Sequence, residues 1–181
     1  MNRSKQVNVS LGTRCTLACP KCRRTQFEEA GIPIDGGDLS FDSLGNLYLA
    51  VGDGLDDNSR AQNPDSLWGK IIRLDISESK LKPEIVAYGL RQPWALTIDS
   101  DDRMFVSQCG GDSVEAIYFL NDLYSKTPVN FGWPIFEGSI RMKDDPLTFD
   151  NISAPIFETN VRPGCMTAGL YLNDIDLFLY G

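Results

Sequence analysis

The segment Leu39-Ser-Phe41-Asp42-Ser-Leu-Gly45-Asn46-Leu47-Tyr-Leu49 reads as strand, turn, strand, and it returns 57 positions later as Leu96-Thr-Ile98-Asp99-Ser-Asp-Asp102-Arg103-Met104-Phe-Val106. A third copy, Leu170-Tyr-Leu172-Asn-Asp-Ile-Asp-Leu177-Phe-Leu179, has a turn one residue shorter. Each copy alternates apolar residues, turns on acidic or amide side chains, and continues as a second apolar strand. A repeat of this period built from hairpins predicts blades of a β-propeller rather than a helical solenoid. A β-sandwich with a coincidental hairpin similarity is the other all-β solution. Further strands are expected at Lys70–Asp75, Ile85–Tyr88, Glu115–Leu120 and Asn130–Trp133, with loops at Gly52–Gly54, Gly110–Asp112 and Asp144–Pro146. Near the N-terminus, Val7–Leu11 reads as a short strand and Gln26–Ala30 as a helical turn ended by Gly31 and Pro33.

Charge divides the chain. Residues 1–34 hold six Lys/Arg against Glu28 and Glu29, whereas the remainder carries eleven basic and twenty-three acidic side chains. The step falls between Ile34 and Leu39 and predicts two segments, 1–35 and 36–181. The acidic bulk argues against a nucleic-acid surface. No apolar run is long enough for a membrane span, and no secretory signal is visible. The default expectation is therefore a cytoplasmic location, with the host compartment left open. The 181 residues include no histidine. That removes imidazole as metal ligand and as general base.

Five cysteines are present, three of them within eight residues: Cys15, Cys19 and Cys22. Such crowding suits a metal or cluster better than a disulfide framework. Three thiolates can hold three irons of a [4Fe-4S] cluster and leave the fourth iron open to a small molecule. The stretch Val7–Thr25 resembles the start of the radical S-adenosylmethionine family, which implies a cluster with S-adenosylmethionine. The aromatic residue usual before the third cysteine is here Lys21. A zinc knuckle short of a ligand, or a metal-free tail, are the alternatives.

From Gly36 onward the blocks Gly36-Gly37, Val51-Gly52-Asp53-Gly54, Ala61-Gln62, Leu67-Trp68-Gly69-Lys70, Arg91-Gln92-Pro93-Trp94, Asn130-Phe-Gly-Trp133-Pro134, Glu137-Gly138 and Thr167-Ala-Gly169 follow one another. In this order they resemble the soluble quinoprotein glucose/sorbosone dehydrogenase family. The resemblance implies an all-β fold, about half of a six-bladed propeller, and binding of pyrroloquinoline quinone (PQQ) with calcium. It also implies oxidation of a sugar or other alcohol by hydride transfer. Asp53 matches the carboxylate partner of the catalytic base, Arg91 the guanidinium facing the quinone oxygens, and Gly110 and Gly111 the turn whose carbonyls bind calcium. On the residues alone, Asp53 also reads as a turn residue, Arg91 as an ion-pair partner and Gly110-Gly111 as a tight turn. Asp53, Asp56 and Asp57 read as a cation site or as a solvated loop, and Trp68, Trp94 and Trp133 as blade packing or as a sugar platform.

One departure governs the chemistry. The family's base is a histidine two residues before the paired glycines, and here Ile34 stands there, followed by Asp35. Isoleucine cannot accept a proton. The resemblance also stops about midway round the propeller. The expected molecule is an inactive or nearly inactive dehydrogenase-like fragment or fusion, with open strand edges prone to self-association. The alternatives are an iron–sulfur protein carrying a propeller segment, and an interaction module that keeps the surface without the chemistry.

Overall fold

The computed structural model of the protein describes residues 23–33, 35, 37–160, 166, 169–172 and 177–180. A seven-residue helix, α1 (Arg23–Glu29), opens the described chain and ends at Gly31, whose φ is 71°. Strands β1 (Leu39–Phe41), β2 (Leu47–Val51), β3 (Lys70–Leu74) and β4 (Glu84–Tyr88) follow. Next come β5 (Gln92–Ile98), β6 (Met104–Cys109) and β7 (Glu115–Leu120), then the short β8 (Val129–Asn130), β9 (Phe136–Glu137), β10 (Ile140–Arg141) and β11 (Phe157–Thr159). The last are β12 (Gly169–Leu172) and β13 (Leu177–Tyr180).

The hairpin repeat is reproduced in its pairing. β1 meets β2 with Leu39 opposite Leu49 and Phe41 opposite Leu47, and β5 meets β6 with Leu96 opposite Val106 and Ile98 opposite Met104. Those partners are the same pairs displaced by 57 positions. The cause lies in the turns. Asp42 Oδ1 accepts the N–H groups of Leu44 and Asn46 at 3.0 and 2.8 Å. Asp99 Oδ1 accepts those of Asp101 and Arg103 at 3.0 and 2.9 Å. An aspartate bonding two and four residues ahead fixes the loop length, and loop length fixes register. The third hairpin pairs Leu172 with Leu177, so its turn is one residue shorter, as expected.

Sheet order is β1-β2-β3-β4-β8 in the first blade and β11-β7-β6-β5 in the second, with β12-β13 beginning a third. The first strands of successive blades touch, β1 against β5 and β5 against β12, as strands lining a propeller axis do. Asp38 Oδ2 accepts the Leu96 N–H at 3.1 Å and ties β1 to β5. The fold is a partial β-propeller.

Along β2, every residue is buried because both faces of its sheet are covered. Tyr48 and Ala50 join a cluster with Ile71, Leu96, Val106, Tyr118 and Phe131 between the two blades. Leu47, Leu49 and Val51 point the other way, toward Ile72, Leu74, Leu81, Phe27 and Ile32. This is period-two alternation with no solvent side. Phe27 of α1 and Ile32 are 4% and 5% exposed, and burying each contributes about 1.5–3 kcal/mol. α1 is therefore packed on the first blade. No helix among the described residues is long and apolar enough to cross a membrane.

The sequence placed a strand over Asn130–Trp133. The structure confines it to Val129–Asn130, parallel to β4. Asn130 Oδ1 takes the Gly132 N–H at 2.9 Å, and Gly132 has a φ of 94°, so the chain turns there. The expected strand Val7–Leu11 and the triplet Cys15, Cys19 and Cys22 lie outside the described residues.

Candidate functional site

Loops from one end of the blades converge on Trp133. The first is Gly52–Leu55, which leaves β2. Gly52 O accepts the Gly69 N–H at 2.8 Å and the Asp53 N–H donates to Arg91 O at 2.8 Å, so the β2 and β4–β5 loops are stitched together. Asp53 is 1% exposed. Its Oδ1 accepts the Leu55 N–H at 3.0 Å and its Oδ2 the Trp133 Nε1–H at 2.7 Å. Both carboxylate oxygens hold donors, which compensates the burial of a charge.

Arg91 stands beside this pair. Its Nη1 donates to Gly110 O at 2.5 Å and its guanidinium lies 5.8 Å from the Trp133 ring centroid. Its own N–H donates to Gln108 Oε1 at 2.8 Å. The Gly110 N–H donates to Glu115 Oε2 at 3.0 Å. Gly111 faces the indole, since a Cβ built on it falls 3.1 Å from Trp133 Cη2. The structure thus brings Asp53, Arg91, Gly110 and Gly111 to one place.

Glu137, 1% exposed, holds the Gly110–Gly111 turn from below. It accepts the N–H groups of Ser113 at 2.8 Å, Val114 at 3.1 Å and Asp112 at 3.2 Å. Burial pushes the Glu137 carboxyl up, but the N–H groups of Ser113, Val114, Asp112 and Gly111 outweigh it and hold the carboxyl below the usual range. A carboxylate with a depressed folded pKa stabilises the fold above its unfolded pKa, about 4.3. That contribution is lost as pH falls through the folded value. Glu137→Gln is expected to cost about 2 kcal/mol at pH 7, because N–H donors lose a charged acceptor. Thermal melts between pH 7 and pH 3 check this. The gap between the two proteins should narrow below about pH 4.5, and a gap independent of pH would contradict the assignment.

The acidic loop separates into local contacts. Asp56 pairs with Arg60, and Asp57 Oδ1 accepts the Ser59 N–H at 3.1 Å. Among the described residues, no three His, Cys, Asp or Glu side chains gather where a metal could sit. The cation reading of Asp53, Asp56 and Asp57 gives way to the solvated-loop reading. The Gly110 carbonyl, expected to bind calcium, receives the Arg91 guanidinium, so a cation reaching the same oxygen would face that positive charge nearby.

Ile34, at the expected base position, lies outside the described residues. Asp35 does not. Its carbonyl accepts the Gly52 N–H at 3.1 Å and its Oδ2 the Gly54 N–H at 2.9 Å, so the chain at the departure runs against the Asp53 loop.

Sequence reasoning missed several participants. Trp133 was read as packing, and its donor role spans 80 positions. Glu137 bonds residues more than twenty positions upstream, so its role has no local sequence signal. Gln62 Nε2 donates to Asn130 Oδ1 at 3.0 Å and to Trp133 O at 2.8 Å, and Asn130 Nδ2 returns a bond to Gln62 Oε1 at 3.0 Å. Gln62 and Asn130 lie 68 positions apart, which hides their pairing in the sequence. Cys109, at the end of β6, is disulfide-bonded. The available signal was the two cysteines left once the triplet is set aside.

Comparison with known proteins bears on the same residues. The chain is 32% identical over 167 residues to the HIPL1 protein of Arabidopsis thaliana, covering 73% of this chain and 22% of that one. It is 30% identical over 117 residues to the aldose sugar dehydrogenase YliI of Escherichia coli, covering 55% and 29% respectively. Among solved structures, the PQQ-bound aldose sugar dehydrogenase of Streptomyces coelicolor matches with a TM-score of 0.61 at 24% identity, over 78% of this chain and 41% of that one. A glucose dehydrogenase crystal structure matches with a TM-score of 0.59 at 22% identity, over 76% and 43%. The chain thus spans under a third of these curated relatives and less than half of these solved chains. The family model described as Glucose / Sorbosone dehydrogenase matches residues 24–158, so it takes in α1 and the charge step lies inside it. On that match over most of its length, the chain belongs to the Glucose / Sorbosone dehydrogenase family.

Proposed function

We propose that this chain is a quinone-binding portion of a sugar or alcohol dehydrogenase propeller, able to hold the cofactor and unable to turn over by itself. The observation that carries this is the convergence of Asp53, Arg91, Gly110 and Gly111 around Trp133. The donors fit PQQ in part. Arg91 offers a fixed positive fork to quinone or carboxylate oxygens. The neighbouring Gln92 is 9% exposed and its Nε2 finds no acceptor among the described residues, a donor that a quinone oxygen would satisfy if it reached it. PQQ, when bound, supplies the hydride acceptor. Calcium does not fit, because Arg91 already occupies the Gly110 carbonyl. Asp53 has no imidazole to orient. Aldoses are the proposed substrate class of the complete site, by kinship with the sugar dehydrogenases.

The Cys109 disulfide favours an oxidising compartment over the cytoplasmic default. Self-association remains part of the proposal, because β12-β13 forms a separate two-stranded sheet whose edges invite pairing.

A titration with PQQ, with and without calcium, tests the reading. Saturable change in quinone absorbance is expected, indifferent to calcium, and weakened about tenfold or more by Arg91→Ala, as loss of a charge-assisted contact would do. Absence of saturation with the folded protein would remove the proposal.

A further inference from the structure

The geometry points to Trp133 as the positioning residue of this site: its indole, fixed by the Asp53 carboxylate, sets where the Arg91 guanidinium and the Gly110–Gly111 turn stand. For its functional arm this rests on the quinone-site reading above.

The ring is held from several directions. The Trp133 N–H donates to Gly89 O at 3.0 Å, and the Trp133 carbonyl accepts Gln62 Nε2 at 2.8 Å, so the main chain at this residue is pinned on both sides. Nε1 is bound to Asp53 Oδ2 at 2.7 Å, which fixes the ring about its remaining rotations. A hydrogen bond to a buried carboxylate adds a directional restraint to packing and favours one orientation of the indole. That orientation is then transmitted. The Arg91 guanidinium lies 5.8 Å from the ring centroid while its Nη1 is tied to Gly110 O, so one side of the fork is set by a carbonyl and the other by a π face. The Gly111 backbone lies where a Cβ would come 3.1 Å from Cη2. Asp53 and the Arg91 side chain thus communicate through the indole. Asp53 becomes the anchor of a positioning device, consistent with a chain that offers it no histidine.

The test uses the whole chain, labelled with nitrogen-15. The Trp133 indole N–H signal is assigned by its loss in Trp133→Phe, and the Arg91 side-chain N–H signal by its loss in Arg91→Lys. Asp53→Asn is expected to shift the Arg91 signal, and that shift should vanish in the Trp133→Phe background. A shift that persists there travels through the backbone bond between Asp53 and Arg91 and overturns the proposal, as does no shift at all. If Trp133→Phe does not fold, the Trp133 indole signal is assigned by elimination with Trp68→Phe and Trp94→Phe, and Arg91→Lys serves: it must move that signal, and a stationary signal overturns the proposal. In the functional arm, Trp133→Phe is expected to weaken PQQ binding about tenfold, the scale of a displaced cation–π contact. Unchanged affinity would overturn the positioning role in cofactor binding. If the unaltered chain binds no PQQ while the resonance coupling is present, the quinone reading fails and the positioning role of Trp133 stands.

Discussion

Purified chain supplied with PQQ and calcium will leave an artificial electron acceptor unreduced when glucose is added. Oxidation of an alcohol by hydride transfer needs a group that takes the hydroxyl proton as the hydride leaves. A positioned general base contributes about 10²- to 10⁴-fold to such a step. In this chain Ile34 stands where the family's histidine is expected, and no histidine exists elsewhere in the 181 residues to replace it. Asp53 cannot step in as it stands, since it is 1% exposed and lies beneath the Leu55 N–H and Trp133 Nε1–H donors it accepts, out of reach of a substrate hydroxyl. Asp35 Oδ2 is engaged by the Gly54 N–H. The measurement is initial dye reduction against a heat-denatured control. Turnover clearly above that control would mean that another group takes the proton, and Asp35→Asn would then be the first variant to make.

Gly110→Ala will damage the fold far more than Gly111→Ala, although the two are adjacent. A Cβ on Gly110 would lie 1.8 Å from Val114 O and 2.7 Å from Glu137 Oε1. Val114 O is backbone at the entrance to β7, so it cannot yield without moving that strand. The turn would have to open, releasing the Glu115 bond to the Gly110 N–H and the Arg91 bond to its carbonyl. Neither glycine has a left-handed φ, so space is what matters here. At Gly111 the nearest atoms are Trp133 Cη2 at 3.1 Å and Glu137 Oε2 at 3.3 Å, which can give by a few tenths of an ångström. Overpacking of the first kind costs about 3 kcal/mol or more and of the second about 1 kcal/mol. In a protein of this size that separates the melting temperatures by roughly 4–8 °C. Differential scanning fluorimetry reads the difference directly, and equal shifts would show that the turn is looser than its contacts imply.

How much was legible in the sequence follows from the range of the interactions. The hairpins were readable because Asp42 and Asp99 act on residues two and four ahead, so pattern, loop length and register sit in one window. β7 was placed correctly at Glu115–Leu120 for a similar reason, its apolar run being closed at both ends. The short strands β9, β10 and β11 were invisible, because two or three residues carry no periodicity and tertiary partners alone hold them. The family resemblance marked Asp53, Arg91, Gly110 and Gly111, and the structure gathers them. What those residues hold was hidden, since the partners are other blocks: Trp133 for Asp53, Gly110 for Arg91, Glu137 for the loop after Gly111. The charge step drew attention to residue 35, yet Phe27 and Ile32 bury themselves on the first blade. One apolar side chain in so short a helix, with Ile32 beyond its end, is too little to announce a docked face.

That docking has a geometric cost for assembly. In a closed ring every wedge abuts a neighbour on either side, and here the side of the first wedge turned away from the second is already roofed by α1. Any polypeptide packing against that side meets the outer face of α1, with Glu28 and Glu29 exposed, before it meets Leu47, Leu49 or Ile72. Completion and roofing therefore compete for one surface, and whichever wins decides whether the circle can shut.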